Sequence, residues 1–172
     1  NIEKKYDLLN SNFSKIRIGT VYYYICDGMQ KYDGAQIKLL SAAETCKKSY
    51  DNYKKAGVFN GKKNKYIETT ISELAGTMYT YGYYYTNKKE YLRLANKFND
   101  IVLKSKPEKF SKTYTQALKN KVIIYRAQLK IDKALEYSEL VLKEFGCFKN
   151  RNEQKYLSRC ADEKSDYSII LM

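Results

Sequence analysis

The sequence predicts an all-α fold, and three observations carry that prediction. Apolar residues recur at helical spacing along most of the 172-residue chain,. The stretch that alternates Thr, Tyr and Gly as a strand would, at 76–85, still keeps its apolar face at helical spacing,. The single proline, Pro107, falls between two of the periodic stretches rather than inside one,.

Taken in order, Ile2, Tyr6, Leu9 and Phe13 suggest a first helix, closed by "NSN". Ile18, Val21, Tyr22, Ile25 and Met29 form the next stripe. "QKYDGAQ" turns the chain, and Ala35, Leu39, Ala42, Ala43, Cys46 and Tyr50 form a return stripe. "AGVFNGKKNK", residues 56–65, reads as irregular.

"GTMYTYGYYYT" is rich in residues of high β-propensity, yet Ile67, Ile71, Leu74, Ala75, Met78, Tyr81, Gly82 and Tyr85 keep one helical face over five turns. A strand of that extent would far exceed the usual length of about 5–6 residues. Packing of a whole face outweighs the few tenths of a kcal/mol by which Tyr and Thr disfavour a helix. Thr86 and Asn87 are poor helix formers and good caps,. Tyr91, Leu94, Ala95, Phe98, Ile101 and Val102 make the return stripe, so a short loop joins antiparallel arms,. The third pair is Phe110, Tyr114, Ala117, Leu118, Val122, Tyr125 and Leu129, then Ile131, Ala134, Leu135, Ser138, Val141, Leu142 and Phe145. A short last helix is expected at about 152–161. The whole chain, 1–172, thus reads as one helical-repeat domain with helix pairs at about 15–50, 66–104 and 108–146. "GTVYYY" at 19–24 recurs as "GTMYTY" at 76–81, early in a first helix each time.

The net charge is +13, and it is concentrated. Residues 88–130 carry 12 Lys or Arg against three acids, and residues 46–66 carry seven Lys against one Asp. Such a balance favours acidic partners, whether a protein surface, an anionic membrane face or nucleic acid; a lysine-rich solvated surface gives the same composition. No apolar run approaches the roughly 18 residues of a membrane-spanning helix. A start at Asn1 fits a processed or cut chain, which leaves both a cytoplasmic and an exported setting open,.

Histidine is absent, which removes the commonest general base and nucleophile activator,. There is no GxxxxGK[ST] phosphate loop; "FNGKKNK" falls short of one,. A zinc site would need all four scattered cysteines,. The reading is therefore non-catalytic, with no cofactor and no metal. Cys26 and Cys46 fall at core positions of their helices and read as plain buried thiols,. Cys147 and Cys160 flank a short polar stretch and could close a loop as a disulfide, which would place the chain in an oxidising compartment,.

Residues 117–145, "ALKNKVIIYRAQLKIDKALEYSELVLKEF", resemble the tetratricopeptide-repeat family: Tyr125 lies in the first helix, Ala134 at the close crossing, and Leu135, Tyr137, Val141 and Leu142 in the second helix. Residues 76–107 are similar, with Ala95 as the small residue and Pro107 as the terminal proline. Residues 19–47 follow with Ala35 and Ala42. The resemblance implies three helix pairs stacked as an α–α superhelix. The uneven spacing of the copies leaves an irregular helical array open beside it.

The 19 tyrosines are the most distinctive composition. Tyr22–Tyr23–Tyr24 and Tyr83–Tyr84–Tyr85 cannot all point inward, because three successive helix positions span about 200° of the cylinder. Such rings either fill seams between helices or form a binding surface. In tetratricopeptide proteins the first helices line the concave face. By that resemblance Tyr23, Tyr84, Gln116, Lys119, Ile123 and Arg126 are the candidate groove residues. Lys119 and Arg126 stand two turns apart on nearly one face and could hold the carboxylate of an extended or helical peptide. The functional expectation is a protein-interaction scaffold with a Tyr- and Lys/Arg-rich groove. A basic nucleic-acid binder is the alternative, and a structural subunit of a larger assembly shades into the first.

Overall fold

The computed structural model describes residues 11–31, 36–61, 64–105, 112–147 and 160, with side chains described outside 30–39. Six helices run through these residues: α1 (Asn12–Lys31), α2 (Gln36–Lys55), α3 (Lys65–Thr86), α4 (Lys89–Ser105), α5 (Lys112–Ala127) and α6 (Ile131–Glu144). A 3-10 turn, Val58–Asn60, lies between α2 and α3, and no strand occurs among the described residues. The expectations for Ile2, Tyr6, Leu9, Ala35, Pro107 and Phe110, and for the helix at 152–161 apart from Cys160, lie outside them.

The Tyr- and Thr-rich stretch is helical throughout α3, so the period of its apolar face prevails over β-propensity. α3 is also the centre of the molecule, packed against α2, α4 and α5 and touching α1. Its burial accordingly exceeds one stripe. Ile71, Leu74, Ala75 and Met78 are buried as the spacing predicts, and so are Thr69, Ser72, Thr77, Tyr79, Thr80 and Tyr83. Tyr85, expected on the inner face, is half exposed, and Tyr83 and Tyr79 take the inner positions. Each triplet divides: Tyr22 and Tyr83 are buried, whereas Tyr24, Tyr84 and Tyr85 face out.

The main core joins α1 to α4 with Ile124 of α5. Its centre is aromatic. Phe98 stacks on Tyr79 (centroids 6.0 Å, planes 4° apart) and meets Tyr50 edge-on at 5.1 Å. The Tyr79 hydroxyl donates to Glu44 Oε1 at 2.8 Å and the Tyr50 hydroxyl to Glu68 Oε1 at 3.2 Å, so each ring is buried with its polar tip satisfied,. Burial, and then the Glu68 carboxylate, push the Tyr50 hydroxyl up to about 12.

Close crossings sit at the repeated "GT" dipeptides. Gly19 lies where a Cβ would meet the Tyr53 ring at 3.3 Å, and Ser49 Oγ of α2 donates to its carbonyl at 2.8 Å. Gly76 lies against Asn99 of α4, where a Cβ would come within 2.7 Å of Oδ1. At Gly76 something would have to shift to admit a side chain, whereas at Gly19 the neighbours would have to give by a few tenths of an ångström,.

Two stripes are rotated relative to the sequence reading. On α1, Ile18, Gly19, Tyr22 and Cys26 face inward, while Val21 and Ile25 are partly exposed. The inward face follows Cys26, which is bonded to Cys46 of α2 with Cα atoms 5.2 Å apart. These two cysteines, expected as unpaired thiols, are a disulfide because the helix crossing sets them opposite each other. Leu129, expected in the core stripe of α5, is 84% exposed. It takes φ 57° as the left-handed residue that ends α5. Lys130 N–H donates to Tyr125 O and Leu129 N–H to Arg126 O, both at 2.9 Å, the paired bonds of a Schellman cap,. Asn87, φ 54°, ends α3 with the simpler left-handed cap, its N–H on Tyr83 O at 2.7 Å,. Cys147 and Cys160 are joined, with Cα atoms 5.5 Å apart.

Candidate functional site

The site is built on α5, whose buried edge fixes which face it shows. Thr115, Ala117, Leu118, Asn120, Lys121 and Ile124 turn inward. Lys121 Nζ, almost fully buried, donates to Asn96 Oδ1 and pairs with Asp100 Oδ1 of α4, each at 2.7 Å. Asn120 Nδ2 donates to Thr77 Oγ1 of α3 at 3.0 Å and to Asn99 Oδ1 of α4 at 2.8 Å. Asn99 Nδ2 in turn donates to Thr80 Oγ1 at 3.1 Å and to its own helix at Ala95 O at 2.9 Å. These bonds hold α5 in one rotation against α3 and α4. A turn of the helix would strand several buried polar groups, at about 1–3 kcal/mol each.

That rotation sets Gln116, Lys119, Ile123 and Arg126 along one line of α5, spaced 3, 4 and 3 residues apart,. They line two adjoining cavities. One, about 310 Å³, lies between α5 and α6 and includes Gln116, Lys119, Val122, Ser138 and Val141. The other, about 480 Å³, opens toward α3 over Tyr84 and Ala127. Tyr81, Ile123 and Arg126 belong to both, which makes them one groove. Gln116 Nε2 also donates to Asn120 Oδ1 at 3.1 Å. The groove wall is thereby tied into the buried amide network.

Of the six residues singled out in the sequence, the structure brings together Tyr84, Gln116, Lys119, Ile123 and Arg126. Tyr23 is elsewhere: it packs on the main core from α1 and meets Tyr24 edge-on, centroids 5.6 Å apart. Sequence reasoning missed Tyr81, Val122, Ser138 and Val141. All four stand in the apolar stripes of the sequence reading, and neither the partial exposure of Tyr81 and Val122 nor the place of buried Ser138 and Val141 at a cavity wall is visible in a stripe.

Among the described residues, no carboxylate lines either cavity. Lys119 Nζ lies 5.3 Å from the centre of the Phe145 ring. Arg126 is exposed, and among the described residues it is held in no ion pair. At the far end of the amide network, Thr77 Oγ1 donates to Glu73 Oε1 at 3.4 Å. Burial holds the Glu73 carboxyl above its ordinary range, against the opposing pull of the Thr77 hydroxyl and of Lys112.

A second concentration of charge lies between α2 and α4. Lys97 Nζ sits over Tyr50 and Phe98, 5.3 and 5.0 Å from the ring centres. Burial lowers its pKa, Asp51 opposes that, and Lys54, Lys47 and Arg93 add to it. Lys47 is itself paired with Asp51 at 2.7 Å.

Among the described residues no group of His, Cys, Asp and Glu could hold a metal ion, and no helix is long and apolar enough to cross a membrane. The chain matches no family model, no curated protein and no solved structure.

Proposed function

We propose that this protein is a non-catalytic scaffold, a stack of antiparallel helix pairs of tetratricopeptide-like build, that binds a partner protein or peptide in the α3–α5–α6 groove. The observation that carries the reading is the convergence of Tyr84, Gln116, Lys119, Ile123 and Arg126 on one concave surface. Tyr81, Tyr84 and Ile123 offer contact area with little rotamer freedom to lose, which is the chemistry of interface anchors. The cations at its rim supply orientation and on-rate. The disulfides between Cys26 and Cys46 and between Cys147 and Cys160 fit an oxidising compartment,.

The test is selection of displayed random peptides on the wild-type protein, followed by binding to Arg126→Glu with circular dichroism as the fold control. Selected peptides that lose the variant while the helical signal is unchanged support the groove. Peptides that bind both proteins equally place the ligand on another face.

The alternative is nucleic-acid binding through the α2–α4 cations, favoured by the gathering of Lys47, Lys54 and Arg93 around Lys97. It predicts affinity for single-stranded oligonucleotides that falls steeply with salt, one counterion released per phosphate neutralised. A peptide groove with an apolar floor is far less salt-sensitive.

A further inference from the structure

Resting on the groove reading, we infer that the groove has a resident occupant, the chain's own segment 161–172, whose apolar residues Ile169, Ile170, Leu171 and Met172 dock against Tyr81, Tyr84 and Ile123 and compete with an outside partner. The tether decides the occupant. Gly146, φ 71°, takes the left-handed position that ends α6; its N–H donates to Lys143 O at 3.0 Å and Cys147 N–H donates to Leu142 O at 2.9 Å,. Cys147 is thereby fixed at the end of α6, and its disulfide holds Cys160 beside it, Cα to Cα 5.5 Å. Segment 161–172, outside the described residues, departs from that point.

The groove opens near the same point. Val141, on its α6 wall, stands six residues before Cys147, about 9 Å at helical rise. Lys119 Nζ lies 5.3 Å from the ring centre of Phe145, which puts this end of α5 level with the end of α6. From there the α5 line reaches Ile123 about 6 Å further on and Arg126 about 10.5 Å further on. Eight residues, 161–168, separate Cys160 from Ile169. A coil of that length spans roughly 15 Å on average and about 26 Å when extended, so the reach is sufficient.

The chemistry fits as well. Tyr81, Tyr84 and Ile123 present aromatic and aliphatic surface to the groove, and Tyr84 is 57% exposed. Ile169–Ile170–Leu171–Met172 is an unbroken apolar run, which gains by leaving water for such a surface. That gain is non-directional and asks no particular charge of the groove. A short apolar segment binds weakly when free, but a tether of this length presents it at an effective concentration on the order of mM. An outside peptide then meets only the fraction of molecules whose groove is open, and its apparent affinity falls by that fraction.

The chain contains no tryptophan, so Leu171→Trp introduces a single indole whose emission and acrylamide quenching read its surroundings. In the full chain the indole is expected to be blue-shifted and several-fold protected from acrylamide, at every protein concentration. Adding Ile123→Ser or Tyr84→Ala should return it to the emission of an exposed indole, with circular dichroism unchanged. Because indole is larger than the leucine side chain, the unsubstituted chain is read too: nuclear Overhauser contacts are expected from the methyls of Ile169 or Leu171 to the Tyr84 ring and to Ile123. Displayed peptides selected on the groove should bind Leu171→Ser several-fold more tightly than wild type.

An exposed indole with no such methyl contacts overturns the inference. So does an indole equally protected in the groove variants, which places the segment on another face. Protection that fades on dilution overturns it as well, since a neighbouring copy then supplies the segment, and so do selected peptides that bind Leu171→Ser and wild type alike. The functional reading fails separately. If no displayed peptide recognises the groove while Ile123 and Tyr84 still protect the indole, that reading falls and the place of the segment stands; if peptides bind the groove and the indole is exposed, the reverse holds.

Discussion

Asn120 of α5 donates a hydrogen bond to Asn99 of α4 at 2.8 Å, and neither side chain reaches solvent. Around that bond three helices exchange polar partners through Thr77, Thr80 and Gln116. Replacing Asn120 by Leu, of similar volume, leaves Asn99 Oδ1 without this donor and Gln116 without its acceptor. Each group left both buried and unsatisfied costs about 1–3 kcal/mol. The urea midpoint of Asn120→Leu should fall accordingly with an unchanged slope. Asn99→Leu/Asn120→Leu should lose less than the sum of the single variants, because the pair shares its partners.

Gly76 and Gly82 both lie inside α3, where alanine would gain about 1 kcal/mol of helix propensity. Their neighbours decide the outcome. At Gly76 the new Cβ would meet Asn99 Oδ1 at 2.7 Å and the Asn99 backbone nitrogen at 3.3 Å. At Gly82 it would meet the end of Leu40, Cδ2 at 2.9 Å, which can swing aside, and the Tyr91 ring at an ordinary 3.6 Å. Gly76→Ala should lose about 1–3 kcal/mol to overpacking, whereas Gly82→Ala should remain close to wild type. Thermal melts of the two variants side by side separate a close helix crossing from a merely helical glycine.

Glu73 gives the fold a pH dependence with a definite sign. Its carboxyl is raised by burial, so the folded chain holds that proton more tightly than the unfolded chain does,. The stabilisation is complete below the ordinary carboxylate range and is lost as pH climbs through the raised value. Glu73→Gln should therefore be the more stable protein at neutral pH, and its advantage should vanish in acid. Melting temperatures of both proteins from pH 3 to 8 test this, and parallel curves would count against a buried carboxyl there.

The Cys26–Cys46 bond closes a loop with a sequence separation of 20. Its loss should cost about 3 kcal/mol by the loop-entropy relation. Cys26→Ser with Cys46→Ser should melt well below wild type, and mass spectrometry of the alkylated, unreduced wild type should show neither cysteine labelled.

Ser72 Oγ is buried with no hydrogen-bond partner among the described residues. Ser72→Ala removes an unsatisfied hydroxyl without opening a large void, and should stabilise by about 1 kcal/mol. A lower melting temperature would show that the hydroxyl is satisfied in solution.

The sequence by itself determined that the described residues are helical. The period of the apolar residues carried that information even through the Tyr- and Thr-rich stretch of α3, because burying one continuous face outweighs single-residue propensity. Asn87 as the end of α3 was equally plain, since Asn tolerates the left-handed conformation that a cap requires. The repeated "GT" was visible as text, but its meaning was not. Only the tertiary structure showed Gly19 and Gly76 as crossing points, each set against a polar residue of the next helix, Ser49 and Asn99. The same holds for the buried amides, for the bond between Cys26 and Cys46, and for Tyr79 and Tyr83 turning inward while Tyr85 does not. A stripe gives a helix a direction toward the core, but the central helix α3 has neighbours on several sides, and which polar residue finds a partner depends on residues 19 to 43 positions away in the chain. The groove shares this division. Its α5 line was legible because helical spacing is local, whereas the inclusion of Tyr81 and the exclusion of Tyr23 were decided by how α1, α3, α5 and α6 pack.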